Sequence, residues 1–233
     1  MVKHFTALLL LLGVGSIFAA LFLGYTPDTD LNLTARYYAD HTARDIGAAN
    51  IVTAIIVTYR GLDTLGEVTV LFLAAAIVGL VLSRERKRTQ AQQRELPSSG
   101  ELLTTGSHFL VPLIVLLGTY VFMNGHLTPG GGFQGGAIVA SAILLMLLAD
   151  PLRRFSHRLI ATVESISGLV FVILGVFGIF FAGGFLDNRI LPTGTFGSLF
   201  SAGAIPIIYS FIGLKVGAEF SSMLVNLSET EGS

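Results

Sequence analysis

The sequence predicts an all-α, polytopic membrane protein with about six transmembrane helices. Three observations predict it. Of the 233 residues, 52% are hydrophobic and only 12% charged, against roughly 25% charged in an ordinary soluble domain. Six apolar runs are close to the roughly 20 residues needed to cross about 30 Å of hydrocarbon. The basic residues outside those runs cluster where a six-span topology puts one side of the membrane.

The runs are 5–24, 64–83, 108 to about 125, about 133 to 149, 159–185 and 196 to about 220. The first could be read as a signal peptide with Lys3 as its charged start. No small-x-small cleavage site precedes the polar segment, so a retained anchor is expected. A further apolar stretch, 46–59, is too short to span alone and is expected to lie at the interface or to form a broken helix leading into the second span. Arg84, Arg86, Lys87, Arg88 and Arg94 follow the second span, Arg153, Arg154 and Arg158 follow the fourth, and Lys3 precedes the first. Six spans put all of these on the cytoplasmic side of the cell membrane, together with both termini.

Composition also excludes. Net charge is −1 and cysteine is absent. A balanced charge gives no basic field for nucleic acid. Without thiols there are no disulfides, thiolate metal sites, iron–sulfur ligands or cysteine nucleophiles, and no cofactor is expected. With no tryptophan, any interfacial aromatic belt rests on Tyr and Phe.

The polar stretch 84–105, with its Arg-Glu-Arg-Lys-Arg run and Pro-Ser-Ser-Gly breaker, reads as a linker. It divides the chain into a two-span module, 1–95, and a four-span module, 96–233. No internal repeat relates the two.

Two stretches carry chemistry. In the first, Tyr59-Arg60-Gly61-Leu62-Asp63-Thr64-Leu65-Gly66-Glu67 runs straight into an apolar span. On a helix Arg60, Asp63 and Glu67 fall on one face. Ionisable groups at membrane depth cost at least about 2.5–3.5 kcal/mol on insertion scales, so they are rare and usually face the protein interior. Two carboxylates one turn apart push one of them towards neutrality, and Arg60 opposes that push. Such a carboxylate suits a proton relay or cation site. The plainer reading of Arg60 and Asp63 is an interfacial salt bridge, whereas Glu67 lies deeper. The second stretch, Asn124-Gly125-His126-Leu127-Thr128-Pro129-Gly130-Gly131-Gly132-Phe133-Gln134-Gly135-Gly136, lacks the context of a dinucleotide fold and the Lys-Ser/Thr of a P-loop. Its breakers force non-helical backbone between spans three and four. Gly135 and Gly136 then permit close helix approach. It is either a packed hairpin or a hydrated path lined by His126 and free carbonyls.

Other polar groups are plainer. His108 is expected at the interface, and Pro112 and Pro206 are expected to kink their helices. Lys215 and Glu219 are an i, i+4 pair expected near the cytoplasmic end of the last span. Glu164 could reach the interface or meet Lys215 across the bundle. Gly168, Gly175, Gly178, Gly203, Gly213 and Gly217 read as close helix packing.

At these stretches the chain resembles known families. The segment from Asn50 to Glu67 is similar to the C-terminal part of the MrpA-type component of the Mrp multisubunit sodium/proton antiporters, and to a small component of membrane-bound hydrogenases. From His108 through Pro-Gly-Gly-Gly-Phe-Gln-Gly-Gly the chain resembles the MrpB-type component of the same antiporters. The resemblance spans roughly 46–219. It implies a non-catalytic subunit of a hetero-oligomeric membrane module related to respiratory complex I, whose larger antiporter-like subunits exchange Na+ for H+. It further implies that Glu67, with Asp63 and Arg60 beside it, serves ion transfer, and it carries over the hairpin with its His126. Lys215 and Glu219, which read more plainly as an ion pair, are further ion-translocation candidates from their spacing alone. The joining of both pieces in one chain leaves either a stand-alone antiporter or a redox-driven complex as the assembly. An independent secondary transporter is a further alternative, weakened by few central charges and no inverted repeat. A purely structural role is another. An intramembrane enzyme would need a motif such as His-Glu-x-x-His or Gly-x-Ser-x-Gly, which is missing.

Overall fold

In the computed structural model the described residues are 2–25, 30–89, 100–151 and 153–231, with side chains described at all of these except 2, 83–89 and 231. Arg94 therefore lies outside the described residues, as do the side chains of the Arg84–Arg88 run. Among the described residues the chain is helical and has no strand. Six helices are long and apolar enough to cross a membrane, and the protein is a multi-pass membrane protein.

Contacts divide the chain into two units, 1–37 and 38–233. The first contains α1 (Val2–Leu23), whose described side chains are exposed all around the helix. Its window of mean hydropathy 2.4 suits a surface that lipid covers. A short α2 (Leu33–His41) straddles the unit boundary.

The second unit is the bundle. A π-helical turn, Thr42–Ile46, ends on Gly47 at φ 76°. Asn50 then caps a short α3 (Ile51–Thr53) by accepting from the backbone of Val52 and Thr53. A second π-helical turn, Ala54–Tyr59, follows. The stretch 46–59 is thus a broken helix, and Arg60, at φ −126°, ψ 37°, hinges it to α4 (Gly61–Thr89). Then come α5 (Glu101–Met123), α6 (Gly132–Ala149), α7 (His157–Phe181), a 3-10 turn at Asn188–Ile190 and α8 (Ile205–Glu231).

Helix α8 is the axis of the bundle and touches α4, α5, α6 and α7. It runs parallel to α4: Glu67 lies level with Tyr209, Phe72 with Lys215 and Gly79 with Asn226. It also runs parallel to α6, where Gly132 meets Ile212 and Gly136 meets Gly213 and Val216. Against α7 it is antiparallel, because Gly168 meets Lys215 while His157 reaches Glu229 at 2.8 Å. Strand-free alternation of directions from α4 to α8 is what consecutive membrane crossings require. Glycines set the spacing. A Cβ on Gly136 would fall 2.6 Å from the Gly213 carbonyl oxygen, and one on Gly135 would fall 2.6 Å from that of Gly118.

Two spans begin elsewhere than the hydropathy suggests. The third starts at Glu101 rather than near 108. The sixth starts at Ile205, not near 196, and continues to Glu231. Ala202 at φ 61° and Gly203 at φ 57° break the backbone just before it. Pro206 is therefore the second residue of α8 and starts the helix instead of kinking it, since its missing N–H is not needed there. Gly203 correspondingly belongs to a turn, not to a helix contact. The shift moves Lys215 and Glu219 from the expected end of the span to its middle.

Candidate functional site

At the end of the bundle where α4, α6 and α8 begin, the broken helix, the glycine hairpin and the 182–204 loop are tied together by buried polar groups. Asn188, fully buried, donates from Nδ2 to the carbonyls of Ile46 at 2.9 Å and Ala202 at 3.0 Å. Asn50 Nδ2 donates to the carbonyls of Gly125 at 2.9 Å and Thr128 at 3.0 Å. The Thr53 hydroxyl donates to Gly125 at 2.6 Å and accepts from the Tyr209 hydroxyl at 3.1 Å. The backbone N–H groups of Ala49 and Asn50 both donate to the His126 carbonyl at 3.0 Å. Irregular backbone survives near a membrane only when its polar groups are satisfied in this way.

His126 sits inside this junction with none of its surface exposed. Its Nε2 lies 3.4 Å from the Ser198 carbonyl, while Nδ1 makes no well-formed hydrogen bond with any described residue. Burial lowers the ring's pKa below the usual histidine value, against the carbonyls of Ser198, Leu199 and Met123, which favour the charged form. Nearby, burial raises the pKa of Asp187, but hydrogen bonds from the Arg189 side chain and backbone outweigh it and leave the carboxyl below its ordinary range. The Arg189 Nε donates to Asp187 Oδ1 at 2.9 Å.

The acidic stretch lies on α4. Arg60 and Asp63 form an ion pair with both side chains more than half exposed. Glu67 takes no part in it and makes no hydrogen bond or ion pair with a described residue. Its side chain is exposed, whereas Gly61, Thr64 and Val68 form the buried face. The expectation that Glu67 faces the interior of this chain is therefore corrected. The helical period puts it on the flank, about 9 Å along the axis from the start of α4. There its helical neighbours at i−4 and i+3 are exposed Asp63 and Val70, and it lies close enough to Tyr209 for its charge to act on the hydroxyl.

The enclosed charges are on α8. Lys215 Nζ donates to Glu219 Oε1, with side-chain exposures of 9% and 0%. The ammonium lies 5.1 Å from the centre of the Phe72 ring of α4. The aliphatic stem of Lys215 packs on Gly168 of α7, where a Cβ would sit 3.4 Å from Cε. Glu164, half-buried on α7, is near enough for its charge to act on Glu219. Glu219 Oε2 is buried without a hydrogen-bond partner among the described residues.

Of the candidates read from the sequence, the structure brings Arg60 to Asp63 and Lys215 to Glu219. It leaves Glu67 on the flank and His126 apart in the loop junction. Sequence reasoning missed Asn50, Thr53, Asn188 and Tyr209. The Asn-x-x-Thr spacing ahead of an apolar run was a cap signal, but nothing local in the sequence marked Asn188.

Six apolar helices, an enclosed charge pair, an exposed acid on the flank of an apolar helix and a hydrogen-bonded broken-helix junction define a polytopic membrane subunit. Residues 102–222 match the model of a domain related to the MnhB subunit of Na+/H+ antiporters, and residues 3–98 match that of MbhE, a subunit of MBH. The chain belongs to the MnhB-related family, joined here to an MbhE-like segment. It is 33% identical over 204 residues to an uncharacterized protein of Methanocaldococcus jannaschii, covering 77% of each chain. It is 36% identical to the B component of the Na+/H+ antiporter of Bacillus subtilis, over 37% of this chain and 63% of that one. Among solved structures, it matches a chain of the membrane-bound sulfane sulfur reductase, an archaeal respiratory membrane complex, with a TM-score of 0.81 and 41% identity over 97% of this chain and 98% of that one. It also matches a chain of the Mrp complex from Dietzia with a TM-score of 0.76 and 26% identity, over all of this chain but 26% of that one.

Proposed function

We propose that this chain is a non-catalytic membrane subunit of a multisubunit cation/proton antiport complex or antiporter module, and that it contributes Glu67 to an ion path shared with larger antiporter-like subunits. The observation that carries the residue assignment is the position of Glu67. It is an acidic side chain at membrane depth that this chain neither buries nor pairs. A charge facing lipid is disfavoured, by about 2.5–3.5 kcal/mol at a helix centre, whereas a neighbouring subunit with polar groups or a hydrated path relieves it. Asp63 and Arg60 flank the same path. Lys215 and Glu219 are the paired charges inside the bundle. His126, walled in and without a donor partner, is assigned to the hairpin junction rather than to the path. Both termini are placed in the cytoplasm, from the basic loops, and residues 1–95 and 96–233 are read as the two modules.

One observation favours the redox-linked version of the complex over a stand-alone antiporter. The match to the sulfane sulfur reductase chain covers nearly the whole of both chains, whereas the Mrp match covers a quarter of a much longer one. In that version the redox chemistry resides in other subunits.

Replacing Glu67 tests the reading. Glu67→Gln is expected to assemble at the wild-type level and to reduce ion-driven proton movement in membrane vesicles by tenfold or more. Normal assembly with unchanged transport would leave Glu67 as a passive surface group and remove it from the path.

A further inference from the structure

We propose that Lys215, Glu219 and Glu164 form a site that holds one exchangeable proton in the middle of the bundle. The inference rests on reading the α8 pair as part of the ion-handling apparatus, and names its ligand, its stoichiometry and a third member. Charge balance is the first consideration. One ammonium is set among two carboxylates: Glu219, one turn along α8, which it bonds, and Glu164 of α7, one turn from the Gly168 that packs on the Lys215 stem and near enough for its charge to act on Glu219. Fully ionised, the cluster carries one surplus negative charge in a low-dielectric region, where an uncompensated charge is strongly disfavoured.

Among the described residues the other helices bring no cation against it, and Arg158 of α7, exposed, is about 9 Å along that helix from Glu164. From α4 the group facing Lys215 is the Phe72 ring, which attracts the cation but cannot neutralise an acid. Helix α6 contains no ionisable residue. Helix α5 meets this part of α8 through Phe122 at Gly213. Glu67 of α4 lies level with Tyr209, about 9 Å along α8 from Lys215, and adds only negative charge. The His157–Glu229 pair is about 15 Å along α8 from Glu219.

The second observation is an orphan atom. Glu219 is fully buried, and its Oε2 has no partner among the described residues. Ionised and buried, that oxygen forfeits a hydrogen bond to any described residue. Protonated, it is neutral, and the surplus charge disappears. A metal cation fits less well. Among the described residues no group of three or more His, Asp or Glu could hold a metal ion, and the Lys215 ammonium already occupies the other Glu219 oxygen. Uptake adds one proton from water to the carboxylate pair and changes the cluster's charge from −1 to 0. Glu164 is the entrance, since it is half-buried and about 10 Å from the start of α7.

Infrared spectroscopy of the purified complex tests this without reference to transport. At neutral pH the wild type should show a protonated-carboxyl stretch that shifts in heavy water. Glu219→Gln and Glu164→Gln should each abolish it. Each leaves one carboxylate opposite Lys215 and so a balanced pair that needs no proton, which also favours folding. Lys215→Met should roughly double the band, because two carboxyls without a cation both bind protons. Absence of the band in the wild type would overturn the proposal, and so would a band that survives both Gln substitutions. Because the wild-type spectrum alone can contradict it, misfolding of a variant does not protect it. A failure here leaves the Glu67 reading standing, and unchanged transport in Glu67→Gln leaves this one standing.

Discussion

Asn188 concentrates in one side chain what keeps the irregular end of the bundle in place. Its amide reaches two carbonyls that are distant in sequence, Ile46 and Ala202, both in buried residues. Removing it leaves the buried Ile46 carbonyl without that donor, a loss of about 1–3 kcal/mol, while the Ala202 carbonyl keeps only the Ile205 N–H at 3.2 Å. Asn188→Ala is expected to lower stability by about 2 kcal/mol or more in thermal unfolding of the detergent-solubilised protein. Thr69→Ala, which loses only an exposed bond to the Leu65 carbonyl, is expected within about 0.5 kcal/mol of wild type. At this scale the sequence was partly legible. Local spacing foretells pairs on one helix, such as Arg60–Asp63 and Lys215–Glu219, because the helical period fixes them. It could not foretell that Asn188 caps a helix break 142 residues away, since that depends on which loops the bundle brings together. Nor could it say that Glu67 falls on the flank of α4, because which face is buried depends on α8.

Among the elements, α8 decides most. Its glycines let α6 approach until the Cβ position of Gly136 overlaps the Gly213 carbonyl. Both sides of that contact are backbone, so no side chain can yield. Gly136→Ala is expected to force α6 from α8 and cost about 1–3 kcal/mol, the usual range for overpacking. Gly66→Ala, which meets nothing within 4 Å, is the control and should be neutral or slightly stabilising. The thermal midpoint of the complex in mild detergent measures both. The existence of the spans was legible from apolar length alone. The start of α8 was not, because Phe196, Leu199 and Phe200 extend the apolar pattern ahead of the helix while the backbone there is held in turns by Gly194, Gly197 and Gly203 at positive φ. Hydropathy reports what a segment can be buried in, not the backbone it adopts. The error mattered, since it placed Lys215 and Glu219 near an interface when they are enclosed at mid-helix. The broken helix at 46–59 was better marked, because its length alone ruled out a full span.

At the scale of the whole molecule, the described residues expose much apolar surface and leave Glu67 of α4 unpaired, while α8 encloses the Lys215–Glu219 pair. Such an arrangement is that of a complex member, complete inside and unfinished at one flank. Family membership in the MnhB-related domains agrees with the resemblance carried by the two motifs. What sequence could not settle is the identity of the neighbours, because docking faces carry no periodic signal of their own.

An unfinished flank has a purpose only if this chain works within a larger membrane complex. That dependence can be measured by isolating the chain from native membranes in mild detergent through a terminal tag, identifying the proteins that remain bound, and reconstituting the chain with and without them. Stoichiometric antiporter-like subunits are expected in the isolate, with cation-driven proton movement in liposomes only when they are present. Proton movement by the lone chain at the rate of the full assembly, or a chain that isolates without membrane partners, would contradict this reading.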